Sequence, residues 1–597
     1  MLYMLDYGAG NVRSLANSIR KLGYDFEWVK SPADIQKADK LIFPGVGAFG
    51  PAMESLNRQG YSQPLKEFIA SGKPYMGICI GMQALFERST EAPNVPGLGV
   101  VPGEVDRFDA GPSTSTGAIK SVPQMGWNEA NPVRTSAKQF GYQSGQHFYF
   151  VHSYRASFDI EKHKDWALTT TQYGDEVFLS SIRRGNVYAT QFHPEKSGRA
   201  GLEILRAWLS EESAVKDDQW IVEPAQAAKP AQTDGLTKRV VACLDVRSND
   251  DGDLVVTKGE SYDVREKEEA KEVGGQVRNL GKPVDLALRY YLEGADEIVF
   301  LNITSFRSCP LQDQPMLSVL SNAAASIFVP LTIGGGIKDS VDPDGTKHSA
   351  KEVADEYFRA GADKVSIGSE AVLAVEELLQ RAGSKDVARV KQDHLTGKTG
   401  IEMISKAYGK QAVVVSIDPR RVYVEKDEEV DPSHLACVVE GEKGSRYDGK
   451  RWWYRCTIKG GREDRDIDVV QLAKGVETLG AGEILVNSID QDGQSKGFDR
   501  QLIDLVRGSV SIPVVASSGA GSAQHFEEVF AAKPLAQRAE PSSVEAALAA
   551  GIFHRKEVGI EEVKSALAEK GFKVRREKIA EGASGIVQEA TEQERKA

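Results

Sequence analysis

The second half of this 597-residue chain repeats itself, and that echo constrains its fold more than any other feature. Ala242-Cys243-Leu244-Asp245 parallels Val415-Ser416-Ile417-Asp418, and Phe300-Leu301-Asn302 parallels Leu485-Val486-Asn487. Pro330-Leu331-Thr332-Ile333-Gly334-Gly335-Gly336 parallels Pro513-Val514-Val515-Ala516-Ser517-Ser518-Gly519, and residues 364–369 parallel residues 547–553. Each is an apolar run of strand length, separated from the next by helix-like sequence, so each half supplies four strands. Eight parallel strands made by half duplication predict a (β/α)8 barrel whose working face lies at the C-terminal ends of the strands. Residues 381–399 and 424–465 are long polar insertions in that barrel. The second carries Trp452-Trp453-Tyr454 and is expected to form a hairpin with an aromatic core of its own rather than a substrate lid.

The chain ahead of the repeat alternates short apolar runs, such as Leu41-Ile42-Phe43, with amphipathic stretches, an α/β pattern. After a helix-like segment ending near Leu209 the composition turns to Ala, Pro, Gln, Lys and acids. The expected organisation is an α/β domain over 1–212, a linker over 213–236, the barrel over 237–574 and a charged tail over 575–597, frayed beyond Phe572. The net charge of −12 argues against a nucleic-acid partner, so phosphate recognition must be local. The five cysteines are odd in number, widely spaced and without a CxxC pair, which disfavours a disulfide framework or a zinc knuckle. The first residues run straight into a strand, and no apolar run is long enough to cross a bilayer. A soluble cytoplasmic protein, without membrane partner, metal or cofactor, is the expectation.

Gly77-Ile78-Cys79-Ile80-Gly81 sits between a strand-like run and the helix-like Met82-Gln83-Ala84-Leu85-Phe86. Glycines on both sides let the backbone bend sharply there, exposing the sulfur to helix amides and the positive end of the helix dipole. Far downstream, Gln191-Phe192-His193-Pro194-Glu195 offers a base and a carboxylate to orient it. His147 and His152 could compete as the base, but only His193 carries a carboxylate in the same turn.

These motifs, with Pro44-Gly45-Val46-Gly47 upstream, resemble the class I (triad) glutamine amidotransferases over roughly the first third of the chain. Asp6-Tyr7-Gly8-Ala9-Gly10-Asn11 and His152-Ser153-Tyr154 point within that class to the glutaminase of imidazole glycerol phosphate synthase. From Lys238-Arg239-Val240-Val241 onward the sequence is similar to the cyclase partner of the same enzyme, so both halves are fused. The resemblance implies Cys79, His193 and Glu195 as the glutaminase triad. It places an oxyanion hole at the amide after Cys79 and at Gly45, Val46 and Gly47, and a glutamine pocket at Gln83, Ser153 and Tyr154. A flexible Gly45–Gly47 segment would leave that hole incomplete until the barrel is loaded.

In the barrel, Asp245 and Asp418 end equivalent strands and should face each other across the mouth, a pairing suited to acid/base work. The resemblance implies a bis-phosphorylated ribonucleotide substrate, with one phosphate cradle from Gly335, Gly336, Ser366, Gly368 and Ser369 and another from Ser517, Ser518, Gly519 and Gly551. Lys258, Asp490 and Lys496 are further candidate ligands. Arg239, Glu297, Lys364 and Glu483, near the starts of four strands, match a charged ring at the bottom of the family's barrel. They are candidates for an ammonia gate between domains paired within one chain, expected as a monomer. A silent regulatory glutaminase is disfavoured by the intact triad. An aldose-ketose isomerase barrel is disfavoured because isomerisation consumes no nitrogen.

Overall fold

The computed structural model describes residues 1–8, 10–111, 119–210, 218–248, 254–257, 282–303, 310–531, 533–535 and 538–577. Eight strands form the central sheet of the first domain, in the order Glu27–Val29, Leu2–Leu5, Lys40–Phe43, Tyr75–Ile78, Val187–Thr190, Glu176–Arg184, Ala167–Tyr173 and Asn131–Pro132. The first five run parallel; the rest are antiparallel to their neighbours. Apolar clusters cover both faces, one holding Phe43, Phe49 and Tyr75, the other Met76, Phe148 and Phe192. Near-continuous apolar strands such as Leu41-Ile42-Phe43 suit a sheet buried on both sides.

The second domain is a closed barrel of eight parallel strands: Arg239–Ser248, Glu297–Asn302, Leu331–Gly334, Lys364–Ile367, Val413–Ile417, Glu483–Asn487, Val514–Ser517 and Ala546–Ala549. Pairing of Arg239 with Ala546 and of Val240 with Ala547 closes the ring. Alternation divides the strand residues between two surfaces. Val241, Cys243, Val299, Val515 and Leu548 fill the lumen, while Val240, Ala242 and Leu244 pack outward in the large core shared with the helices. The half-duplicated barrel expected from the echo is the observed fold. A short strand, Leu254–Thr257, also pairs antiparallel with the end of the first.

The stretch over 424–465 joins a four-stranded antiparallel sheet with Pro419–Val424, Val439–Glu440, Arg451–Ile458 and Glu463–Asp468. Its core is only partly its own. Trp452, Tyr454 and Cys456 point into the main barrel core, whereas Trp453 on the other face makes a small cluster with Val424 and Val430. The stretch from 381 begins inside the helix Ser369–Ala382, followed by two short 3-10 turns.

The two domains dock at the N-terminal face of the barrel. Trp127 donates from its indole nitrogen to the Asp296 carbonyl at 3.0 Å and belongs to the barrel core. The helix Ala350–Ala360 starts with a Ser349–Glu352 capping box and stops at Gly361, whose φ is +122°. That stop delivers the Gly361 carbonyl and the Asp363 carboxylate to the Asn11 amide, both at 2.8 Å. Lys196 pairs with the same carboxylate at 2.7 Å.

The tail is not frayed over its described residues, 573–577; the rest of it, 578–597, lies outside the described residues. Arg575 is buried, donates to Asp296 at 2.8 Å and stacks 4.1 Å over the Trp127 ring. A cation between an aromatic face and a buried carboxylate is held by both. The segment between the domains is likewise attached: Trp220 packs in the first domain's core, and Gln172 exchanges two hydrogen bonds with Ala231.

Candidate active sites

Cys79 stands at the turn between the strand Tyr75–Ile78 and the short helix Ile80–Gln83, with φ +51° and ψ −103°. A non-glycine residue in that region is strained, and the neighbours show what maintains it. A Cβ on Gly81 would come within 2.0 Å of the Phe43 carbonyl oxygen, and one on Gly77 within 2.4 Å of the Gly81 oxygen. Only glycine fits on either side of this elbow. The Cys79 amide is anchored to the Thr190 carbonyl at 2.7 Å, on the strand that leads to His193.

His193 and Glu195 are buried, with Nδ1 of the imidazole 2.8 Å from Oε1 of the carboxylate. Burial opposes charge on the ring, but Glu195 and the Cys79 sulfur together outweigh it and lift the imidazole well above the usual histidine range. Nε2 is buried and lacks a well-formed hydrogen bond, although the thiol is its electrostatic and hydrogen-bonding neighbour; a loose contact of this kind is ordinary before substrate binds. His152 and His147 are held neutral. Burial drives His152 down to about 3, with Nδ1 on the Tyr154 carbonyl, and burial with nearby Arg575 drives His147 to about 4.

Gln83 donates to the Tyr154 carbonyl at 3.0 Å and to Gln191 at 3.1 Å, and Gln191 in turn lies 3.5 Å from the Cys79 sulfur. Ser153 accepts from the Phe108 amide through its carbonyl at 3.0 Å. Gly45, Val46 and Gly47 form the loop facing the elbow, where a Cβ on Gly45 would meet the Ile80 Cβ at 2.5 Å. Gly47 has φ +140°. Two donors grip this loop's carbonyls: the Tyr7 hydroxyl reaches Val46 at 2.8 Å, and Gln411 of the barrel reaches Gly47 at 3.4 Å.

A cavity runs from here into the domain interface, lined by Val46, Tyr149, Val151, His193, Lys196, Asp363, Lys364, Gln411 and Ala412. It therefore touches both His193 and Lys364. Lys364 belongs to a ring of alternating charge formed by the first residues of four barrel strands. Its ammonium lies 2.7 Å from Glu297 and 2.6 Å from Glu483; Arg239 lies 2.7 Å from Glu297 and also pairs with Glu483. Thr332 donates to Glu297 at 2.7 Å. All four ring residues are at most 3% exposed, so they are not a surface ion-pair set. Burial would raise the Glu297 carboxyl, but Lys364 and Arg239 prevail and lower it. Beyond the ring a second cavity continues up the lumen past Val241, Val299, Leu485 and Leu548.

At the opposite mouth, Asp418 directly follows its strand, whereas Asp245 does not end its own as expected: that strand runs on to Ser248 because Leu254–Thr257 pairs with its last residues. Burial, aided by Asp492, pushes Asp245 up to about 7; burial raises Asp418 too, partly offset by the Asn487 amide donating at 2.9 Å. Asp492 is itself raised, chiefly by burial, and hydrogen-bonds with Ser518. Three carboxylates therefore meet at the mouth, not two. Asp490 turns away, its Oδ2 accepting the Arg421 amide at 2.8 Å beneath the hairpin.

Ser366 lies within the fourth strand and Gly368 and Ser369 follow it, while Gly335 and Gly336 follow the third with φ of +89° and +80°. Ser517 ends the seventh strand, and Ser518 and Gly519 follow it with φ of +69° and +94°. Gly551 begins a helical turn after the eighth, and Lys496 is exposed. Lys258 lies outside the described residues. Among the described residues no cluster of three His, Cys, Asp or Glu suits a metal, and no helix is long and apolar enough to cross a membrane.

Sequence reading missed Gln191, Asp492, Asn11, Asp363, Lys196 and Gln411. Gln191 flanks the His-Pro-Glu motif and could have been found there. Asn11 lies in the Asp6–Asn11 motif, but neither it nor the other interface residues carry a local signal of their contact with the barrel.

Comparison with known proteins fits both halves. The family model for class I glutamine amidotransferases matches residues 3–211, and the model described as a histidine biosynthesis protein matches twice, over 239–390 and 377–559. The imidazole glycerol phosphate synthase hisHF of Emericella nidulans is 52% identical over 584 residues, covering 96% of this chain and 99% of that one. That of Schizosaccharomyces pombe is 53% identical over 568 residues, covering 95% and 98%. The chloroplastic enzyme of Arabidopsis thaliana is 52% identical over 572 residues, covering 96% and 89%. With a triad-bearing glutaminase seated on a half-duplicated barrel, this chain belongs to the bifunctional imidazole glycerol phosphate synthases of histidine biosynthesis, enzymes that join a glutamine amidotransferase to a cyclase.

Proposed function

We propose that Cys79, His193 and Glu195 release ammonia from glutamine and that the barrel consumes it without its passing through bulk water. Cys79 attacks the side-chain amide carbon, His193 passes a proton to the departing ammonia, and a glutamyl thioester remains. Water activated by the now neutral His193 then yields glutamate and restores the thiol. Glu195 keeps Nδ1 of the imidazole hydrogen-bonded and offsets its charge. The amide after Cys79 and one from Gly45–Gly47 would receive the oxyanion, with Gln83, Ser153 and Tyr154 lining the glutamine pocket.

In the barrel, ammonia adds to the ribulosyl ketone of the bis-phosphorylated substrate, the phosphoribulosyl formimino aminoimidazole carboxamide ribonucleotide. Ring closure with carbon–nitrogen cleavage then gives imidazole glycerol phosphate and aminoimidazole carboxamide ribotide. Asp245, with a pKa near neutrality, can both give and take a proton, and Asp418 works beside it. The glycine and serine turns after the third and fourth strands hold one phosphate, and those after the seventh and eighth hold the other.

The observation that supports this reading is a cavity lined by both His193 of the proposed triad and Lys364 at the floor of the barrel. Cys79→Ala is expected to abolish glutamine-dependent synthesis yet keep synthesis with supplied ammonium. Loss of both in a folded variant would defeat the assignment of separate sites.

A further inference from the structure

The hairpin inserted after the fifth strand reaches both parts of the barrel site. Thr457 on its strand Arg451–Ile458 donates to the main-chain carbonyl of Asp418 at 2.7 Å. Two residues on, the chain turns through Lys459, Gly460 and Gly461 with φ of +56°, +64° and +80°. Glycine adopts the left-handed region freely, so the cost of this turn falls on Lys459, and the surroundings must hold it. They do so from three directions. The Lys459 amide donates to the Ser369 hydroxyl at 2.8 Å, the Arg420 guanidinium donates to the Gly461 carbonyl, and a Cβ on Gly461 would lie 3.2 Å from the Ile489 Cδ1. Arg465 in the returning strand grips Glu376 on the helix that Ser369 begins, at 2.9 and 2.6 Å.

A hydroxyl that accepts from a main-chain N–H has one lone pair committed and its own hydrogen left to donate. Ser369 is half-buried at the open end of the fourth strand, next to Gly368, where an anion would meet it. The Lys459 side chain points elsewhere: it is 67% exposed and pairs with Glu463 at 2.8 Å. Its main-chain amide is therefore the part that engages the cradle.

We infer that the Lys459–Gly461 turn is a positioning element for the substrate phosphate: its amide orients the Ser369 hydroxyl, and the same hairpin fixes Asp418 relative to that phosphate. This rests on Ser369 being a phosphate ligand, as proposed above. A full-chain double-mutant cycle tests it, with ammonium as nitrogen donor so that the glutaminase is bypassed. Ser369→Ala should raise KM for the ribulosyl substrate roughly tenfold, as loss of a hydrogen bond to a charged group does, with kcat little changed. Gly461→Val, which puts a branched side chain at φ +80° against Ile489, should raise KM to a similar extent, and the double variant should be no worse than Ser369→Ala. The inhibition constant of inorganic phosphate should follow KM. If Gly461→Val does not fold, Gly461→Ala is read in the same way. An unchanged KM in Ser369→Ala overturns both the ligand assignment and the turn's role. A KM effect of Gly461→Val that multiplies with that of Ser369→Ala, or that falls on kcat instead, overturns the turn's role alone.

Discussion

For Asp245 to serve as both acid and base near neutrality, as proposed, it must be kept from ionising early, and burial and Asp492 do this. The same shift has a thermodynamic consequence. An aspartate with an unfolded pKa of about 3.9 and a folded value near 7 binds more protons in the native state over that interval. Its contribution to stability is therefore present below pH 4 and is lost as pH rises through 7, an effect on the order of 4 kcal/mol at most. Asp245→Asn should abolish ammonia-dependent synthesis, leave glutamine hydrolysis, and flatten the decline in denaturation midpoint between pH 4 and 7. Synthesis near the parental rate would remove Asp245 from the mechanism; an unaltered pH profile of stability would refute the burial argument. Asp245 was legible from the duplicated strand pattern, although its strand runs on to Ser248. Asp492 was not, because Asp490 and Asp492 share a polar loop and only folding shows that Asp490 is taken by the Arg421 amide while Asp492 faces the mouth.

Among the elements, the Gly45–Gly47 loop is where the domains can influence one another. Tyr7 holds one of its carbonyls from within the glutaminase, and Gln411 holds the next from the barrel. A ligand that shifts the residues around Gln411 can alter the peptide proposed to present an N–H to the oxyanion, provided it binds one loop conformation more tightly. Glutamine hydrolysis should accordingly be slow with an empty barrel and faster when the barrel holds its substrate. Gln411→Ala should compress the ratio of the two rates. Equal rates in the parent chain would rule the device out. The two glycines of this loop were legible in the sequence, but neither tether was. Tyr7 lies 39 residues away from Val46 and Gln411 lies 364 from Gly47, and nothing local marks either as a partner. The hairpin shows the same division: alternation sorts Trp452 and Tyr454 from Trp453, yet only the barrel decides that the first two join its core.

For the whole molecule, the buried ring of Arg239, Glu297, Lys364 and Glu483 stands between two cavities, one reaching His193 and the other rising through the lumen. The positions of all four at strand starts follow from the duplicated pattern, but their closure into a ring depends on barrel shear, which sequence alone does not fix. Ammonia loses its nucleophilicity once protonated, so a dry route has a direct chemical use. We propose that the ring gates that route. Lys364→Ala would leave two buried carboxylates sharing Arg239, a change that typically costs about 3–5 kcal/mol, so the variant must first be shown to fold. Given that, glutamine hydrolysis and ammonium-dependent synthesis should both persist while their coupling weakens. The quantity to follow is glutamate formed per imidazole glycerol phosphate formed, close to unity in the parent and higher in the variant as ammonia escapes. An unchanged ratio with both partial activities intact would reduce the ring to a structural ion cluster and move the passage of ammonia elsewhere.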